Sequence, residues 1–364
     1  MFHRFLKYKS VNYITISLIF QTFLKQNEIT SKLIRLFRIK FDPRSPQGKR
    51  LSLYTDLKES LSNIISKLID KVERNIFDEA LRFLESILKT NYFISTKTGL
   101  AFRLKTDLLD KKHYPEQPFA IFFIVGKDYR FFHVRWRDVA RGGLRIIVPQ
   151  KEMQYAYANS GLFDEVYGLS LGQQLKNKDI PEGGAKAVLL VKPQANKERA
   201  LKGSINALLD LLVAEDETHE NIASKIVSYN TEEEILYLGP DENMTNELIE
   251  WVHKQAIKRG YKYARAFMSS KPVDGINHKK YGVTSEGLHV FLENVMKYIN
   301  INPSKENFTV KMTGGPDGDV ASNELKILYR KYKKTCKVIG IADGCGAAFD
   351  ETGLNWDEIL RLIH

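Results

Sequence analysis

The sequence predicts an α/β protein with a helical N-terminal zone, and three observations predict it. Apolar residues recur at helical spacing between residues 53 and 88. From about residue 115, short apolar runs bounded by glycine or proline alternate with helical stretches. Near the C-terminus a strand, a glycine-rich turn, a helix and a second strand follow in unbroken order.

In the first zone, residues 1–114, Leu57, Leu61, Ile64, Ile65 and Leu68, then Ile76, Leu81, Leu84, Ile87 and Leu88, return every three or four positions. One buried helix face requires that spacing. Residues 41–49, with Pro43, Pro46 and Gly48, read as a linker. The apolar stretch 13–20 is interrupted by Thr15 and Ser17 and is far shorter than the roughly 20 apolar residues that span a bilayer. It reads as part of a helix or strand.

The second zone, residues 115–285, predicts strands at 118–125, 129–136 and 145–148, a helix over 151–176 and a strand at 185–191. Helices follow at about 200–214 and 245–259. The third zone, residues 286–364, predicts a strand at 307–312, a helix over 324–334 and a strand at 337–342 that ends on Asp343.

At 364 residues the chain has room for one to three domains, and 43% hydrophobic with 27% charged residues is ordinary for a globular protein. The net charge of +11 is uneven. Residues 1–50 hold 11 basic and 2 acidic residues, whereas the other 314 carry 44 and 42. No nucleic-acid-binding motif accompanies this excess, so it reads as a solvated basic helix, and neither nucleic acid nor a membrane is an expected partner. Cys336 and Cys345 show neither a disulfide framework nor metal-ligand spacing. A reducing, cytoplasmic setting is expected, with a mitochondrial one as the alternative if the basic N-terminus is a transit peptide. No metal is expected.

Four segments carry candidate chemistry. The turn from Thr313 to Ala321 contains Gly314, Gly315 and Gly318, and Asp343 follows Gly318 by 25 residues, near the spacing of about 20 for an acid that meets a ribose. Glycines let backbone N–H groups reach a pyrophosphate at a helix N-terminus, so the unit suits a Rossmann-like dinucleotide site. Its spacing departs from G-x-G-x-x-G, and a plain tight turn suits it equally. Arg135, Arg137, Arg141 and Arg145 crowd the string RWRDVARGGLR, where they suit either carboxylate anchors or solvated strand-edge charges. Lys186, after Gly183 and Gly184, is either a surface lysine or a base. Asp241, in GPDEN, is either a turn residue or a proton-transfer carboxylate.

The strings KTNYF, FHVRWRDVARGGLR, LKNKDIPEGGAK, LYLGPDENM, SSKPVDGINHKKYGVTSEG and TGGPDGDVASNEL stand in this order between residue 89 and residue 325. Together they resemble the large NAD-specific glutamate dehydrogenases, over roughly residues 85–364. The resemblance implies an NAD-dependent oxidative deamination of L-glutamate to 2-oxoglutarate and ammonia. It implies that Arg141 and Lys176 hold substrate carboxylates, that Lys186 and Asp241 are catalytic, and that Thr284 lies near the nicotinamide. It further implies that Gly314, Gly315, Gly318 and Asp343 hold NAD. Residues 115–285 would form the substrate-binding α/β domain and residues 286–364 a truncated Rossmann-like domain with only the start of its sheet. Ala187 stands where the family commonly has glycine. Family members are longer and oligomeric, so a homo-oligomer is expected once the fold is complete, with a C-terminal companion chain as one way to complete it. An inactive remnant or a binding subunit of such an enzyme is the alternative.

Overall fold

Two of the helix starts in the N-terminal zone are set by short polar side chains. The computed structural model describes residues 14–178, 180–214, 220–278, 280–344 and 346–363. Cys345, the start of the 13–20 stretch, and one residue each in the LKNKDIPEGGAK and SSKPVDGINHKKYGVTSEG strings lie outside that set. The chain divides into two units between Val273 and Asp274, and each is described by itself.

In the first unit, α1 (Ile16–Lys25) begins on Thr15, whose hydroxyl accepts from Leu18 N at 3.0 Å. After α2 (Asn27–Phe41) and α3 (Gln47–Ser66), α4 (Lys71–Ser86) begins on Asp70, whose carboxylate accepts from Val72 N at 2.7 Å. Such caps satisfy N–H groups that the helix leaves orphaned. Ile29, Leu33 and Leu36 of α2 pack against Leu61 and Ile65 of α3 and Phe77, Leu81 and Leu84 of α4. The expected linker is shorter than residues 41–49, because Pro46 ends it and α3 starts at Gln47. Proline is compatible with a helix start, since it has no N–H to lose.

A seven-stranded sheet follows, with β1 (Ile87–Thr90), β2 (Leu100–Leu104), β3 (Ala120–Val125), β4 (Tyr129–Arg135), β5 (Val139–Ile147), β6 (Gly183–Val191) and β7 (Ile235–Pro240). Its order is β1-β2-β3-β4-β6-β5-β7. The first four strands and β6 pair antiparallel, whereas β5 runs parallel to both β6 and β7. Alternation sorts the two faces. Phe131 of β4 and Ala187, Leu189 and Val191 of β6 join Leu201, Ile205 and Leu208 of α6 (Lys197–Leu212) and Leu248 and Val252 of α8 (Asn246–Lys258). A short α7 (Glu220–Ala223) lies between those two helices in the chain. Phe132, Val134, Val188 and Leu190 face the other way, onto Leu162, Phe163 and Val166 of α5 (Glu152–Leu175). Each such side chain, fully buried, contributes about 1.5–3 kcal/mol. The α/β class read from the sequence is therefore the class observed.

Two sequence expectations need correction here. Strands β1 and β2 fall inside the zone read as helical, because Lys89 (1% exposed) and Arg103 (3% exposed) break the apolar signal while being buried. The strand expected at 145–148 begins at Val139 instead and contains Gly142 and Gly143. At Gly142 a Cβ would lie 1.5 Å from Ala185 O, so only glycine lets β5 approach β6 there.

Buried charges lock the middle of the sheet. Glu234 pairs with Arg103 Nε at 2.6 Å and also with Arg135 Nη2. Beside them His133 is fully buried, and burial together with the Arg135 and Arg103 charges pushes its imidazole down to about 3. The unfolded chain takes up this proton near pH 6.5, whereas the folded chain resists until about 3. Stability attributable to His133 is therefore lost as pH falls through that window. We expect His133→Phe to flatten the decline in urea midpoint between pH 6 and 4, and an unchanged acid slope would count against it.

The second unit begins with a short loop and α10 (Val283–Tyr298); α9 (Ala264–Phe267) closes the first. Then come β8 (Phe308–Thr313), α11 (Asp319–Tyr332), β9 (Cys336–Ala342), β10 (Ala347–Phe349) and α12 (Trp356–Leu362). Strands β8 and β9 are parallel and β10 pairs antiparallel to β9. Their core holds Phe308, Leu325, Leu328, Val338 and Ile359. His289 of α10 bridges Glu324 at 2.8 Å and Glu293 at 3.0 Å, tying α10 to α11. Among the described residues no helix is long and apolar enough to cross a membrane.

Candidate functional site

The parallel strands β6, β5 and β7 bring one cation and one carboxylate together. Leu144 of β5 is in register with Ala187 of β6 and with Pro240 of β7. Chain beyond β7 stays attached to β5, since Asp241 N donates to Leu144 O at 3.1 Å and Ile146 N to Glu242 O at 3.0 Å. Asn243, at φ 62°, turns the chain there, and its side-chain amide donates to Ile146 O at 2.9 Å. These bonds hold Asp241 in place. Its Oδ2 accepts from Lys186 Nζ, whose side chain is 7% exposed against 33% for Asp241.

Gly143 is the floor under this pair. A Cβ at Gly143 would lie 2.9 Å from Asp241 Oδ2 and 3.0 Å from Lys186 Nζ. Alternation along β5 puts Arg141, Gly143 and Arg145 on one face. Arg145 Nε lies 3.5 Å from Asp241 Oδ2 and 3.5 Å from Glu242 Oε2, and Arg145 Nη1 lies 3.6 Å from Glu165 Oε1. Partial burial of Asp241 works against ionisation. The hydrogen bond and charge of Lys186, with the charge of Arg145, outweigh it and hold this carboxyl below the usual range. Asp241 is therefore ionised at neutral pH.

Arg141 stands at the rim. Its Nε donates to Glu182 Oε1 at 2.9 Å, and its guanidinium lies 5.6 Å from the Tyr237 ring centroid. Glu182 also accepts from Lys178 Nζ at 3.3 Å, and Lys178 donates to Gly183 O at 3.2 Å. Lys176 is exposed at the end of α5. Gly184 admits the end of that helix: its N–H donates to Gln174 Oε1 at 2.8 Å, and a Cβ would lie 2.0 Å from Gln174 N. The structure thus joins Lys186 and Asp241 directly, sets Arg141 on their strand face, and leaves Lys176 in solvent. Glu182 was not singled out from the sequence, and Arg145 stood there only as one of four arginines in RWRDVARGGLR. The two-residue step from Arg141 through Gly143 to Arg145 is the signal that identifies Arg145.

The remaining candidates belong to the second unit. Gly314, at φ 86°, and Gly315 open the turn after β8. Gly318 precedes α11, and a Cβ there would lie 1.8 Å from Gly314 O, so the turn closes only on glycine. No side chain caps α11. Asp343 ends β9 and its Oδ1 accepts from Gly346 N at 2.9 Å. Gly315, Pro316, Ile341, Asp343 and Ile359 border a cavity of about 420 Å³. Thr284 is exposed in the first turn of α10.

Residues 57–344 match the family model described as bacterial NAD-glutamate dehydrogenase, catalytic domain. The chain belongs to this family. The matched range contains Arg141, Lys186, Asp241, the glycine turn and Asp343, and it leaves out α1 and α2. Glutamate dehydrogenase 2 of Dictyostelium discoideum is 41% identical over 84% of this chain and 28% of its own length. A probable NAD-specific glutamate dehydrogenase of Schizosaccharomyces pombe is 38% identical over 83% of this chain and 27% of its own. The chain therefore spans under a third of the length of these glutamate dehydrogenases. Among solved structures, a hetero-hexameric glutamate dehydrogenase from Thermus thermophilus aligns with 66% of this chain and 50% of that one, at 19% identity and a TM-score of 0.45.

Proposed function

We propose that this chain carries the substrate and proton-transfer chemistry of an NAD-dependent glutamate dehydrogenase, interconverting L-glutamate with 2-oxoglutarate and ammonia. The observation that carries the reading is the Lys186–Asp241 pair closed over Gly143, on a strand face shared with two arginines. A dicarboxylate calls for cationic anchors, and guanidinium forks match carboxylates. Arg141, at the rim and 39% exposed, is one anchor. Lys176, which the family resemblance assigns, is the other. Lys186 Nζ passes a proton between Asp241 and the water that adds at the substrate α-carbon, and Asp241 exchanges a proton with the amino group.

The second unit supports NAD as the cofactor. Its glycine turn is too tight for any Cβ at Gly318, the N-terminus of α11 has no side-chain cap, and the bordering cavity includes Asp343. Gly314, Gly315 and Gly318 would hold the pyrophosphate, Asp343 the adenosine ribose, and Thr284 would lie beside the nicotinamide. When bound, NAD accepts the hydride from the substrate α-carbon.

The test is glutamate-dependent NADH formation by the purified chain and by Arg141→Met. Losing a charge-assisted anchor should raise KM for glutamate about 10–100-fold with a smaller change in kcat. An unaltered KM removes Arg141 from the reading. A folded wild-type chain that binds 2-oxoglutarate yet forms no NADH is a binding subunit rather than a catalyst.

A further inference from the structure

Away from these residues, the first unit holds a recess of about 650 Å³. Its walls come from α2, α3, the end of α4, β1, and the segments after β2 and before β7. The volume falls within the roughly 300–1,000 Å³ typical of small-molecule sites. Lys40, Arg50 and Lys105 line it together with one acid, Glu85. That acid is already paired with Lys58, so the lining is left with cations in excess.

The donors there are incompletely met. Lys40, 7% exposed, donates from Nζ to Leu84 O at 3.0 Å and Glu85 O at 2.9 Å. An ammonium has three donors, so one remains. Arg50 Nη2 donates to Asp42 O at 2.8 Å and Ser45 O at 3.1 Å, while its buried Nε has no hydrogen-bond partner. Buried donors without acceptors are costly, and an anion would satisfy both. The rest of the lining is apolar or aromatic. Lys40 Nζ lies 5.4 Å from the Tyr229 ring centroid and 5.9 Å from that of Tyr54.

We propose that this recess binds a small organic anion whose phosphate or carboxylate head meets Lys40 and Arg50 and whose flat apolar body lies against Tyr54 and Tyr229. The protonation of Lys40 fits such a site. Burial, with the charges of Lys105 and Lys58 only partly offset by Glu85, lowers its amine to about 7. An anionic head restores the charged form, so binding just above neutral pH takes up a proton. None of these residues belongs to the Lys186 site, so the inference stands apart from the proposed enzymatic function.

Calorimetric titration of the full chain just above neutral pH, in two buffers of different ionisation heat, tests it. The probes are phenyl phosphate, benzoate and the neutral p-cresol. At least one anionic probe should bind about tenfold or more tightly than p-cresol, with proton uptake, and the better of the two identifies the head. Lys40→Met should lose about tenfold in affinity together with the proton uptake. Arg50→Gln, altered at a partly exposed side chain, should weaken binding and keep the uptake, and it carries the test if Lys40→Met does not fold. Absence of binding by both anions, equal binding of p-cresol, or full affinity in Arg50→Gln overturns the proposal.

Discussion

On the proposed dehydrogenase reading, replacing Lys186 by alanine is expected to lower kcat for glutamate oxidation by about 10³–10⁴-fold, near the upper range for a lost proton-transfer group. KM should move little, because the proposed carboxylate anchors remain. Lys186 and Asp241 share one hydrogen bond over Gly143, so they act as a unit. Groups that act as a unit are strongly non-additive. Asp241→Asn should therefore cost nearly as much as Lys186→Ala, and the double variant little more than the worse single one. Steady-state kinetics of the three variants checks this. Multiplying effects would mean that the two side chains serve independent steps, and the shared-proton reading would fail.

The largest effect on stability is expected at Glu234. Truncation to alanine leaves Arg103 and Arg135 buried without their carboxylate, at 4% and 0% side-chain exposure. Removing one partner of a buried ionic cluster costs on the order of 3–5 kcal/mol, since the remaining charges stay desolvated. That is a large share of the roughly 5–15 kcal/mol by which a domain is stable. Glu234→Ala should unfold at much lower urea, or accumulate only as insoluble protein. Glu234→Gln, which keeps the shape and one acceptor, should be intermediate. Near-wild-type urea midpoints in both variants would show that the arginines find other acceptors. Arg135 already donates to Ile235 O at 3.3 Å, so the measurement discriminates.

Sequence pattern carried far where strands bury apolar residues on both faces. The strands expected at 118–125, 129–136 and 185–191 form because apolar and aromatic residues crowd them, and the helices expected at 151–176, 200–214 and 245–259 form as α5, α6 and α8. Pattern failed at β1 and β2, four and five residues long, where one buried charge interrupts a short apolar run. Strands β1 and β2 each bury a basic side chain, and the partner of Arg103, Glu234, lies 131 positions away. No window of local sequence contains both members of such a pair.

The candidate site divides along the same line. Its residue types were legible: glycines beside a lysine, an acid after an apolar run, arginines around Gly142-Gly143. The sequence by itself determined the α/β order, the motifs that mark the family, and the glycine turn before α11. Only the tertiary structure decided that Lys186 and Asp241, 55 positions apart, share a hydrogen bond, that Arg145 stands over the same carboxylate, and that Lys178 rather than Lys176 is bonded to Glu182. The physical reason is register: β5 pairs in parallel with strands from two distant segments, and a contact across parallel strands depends on their alignment rather than on any local spacing.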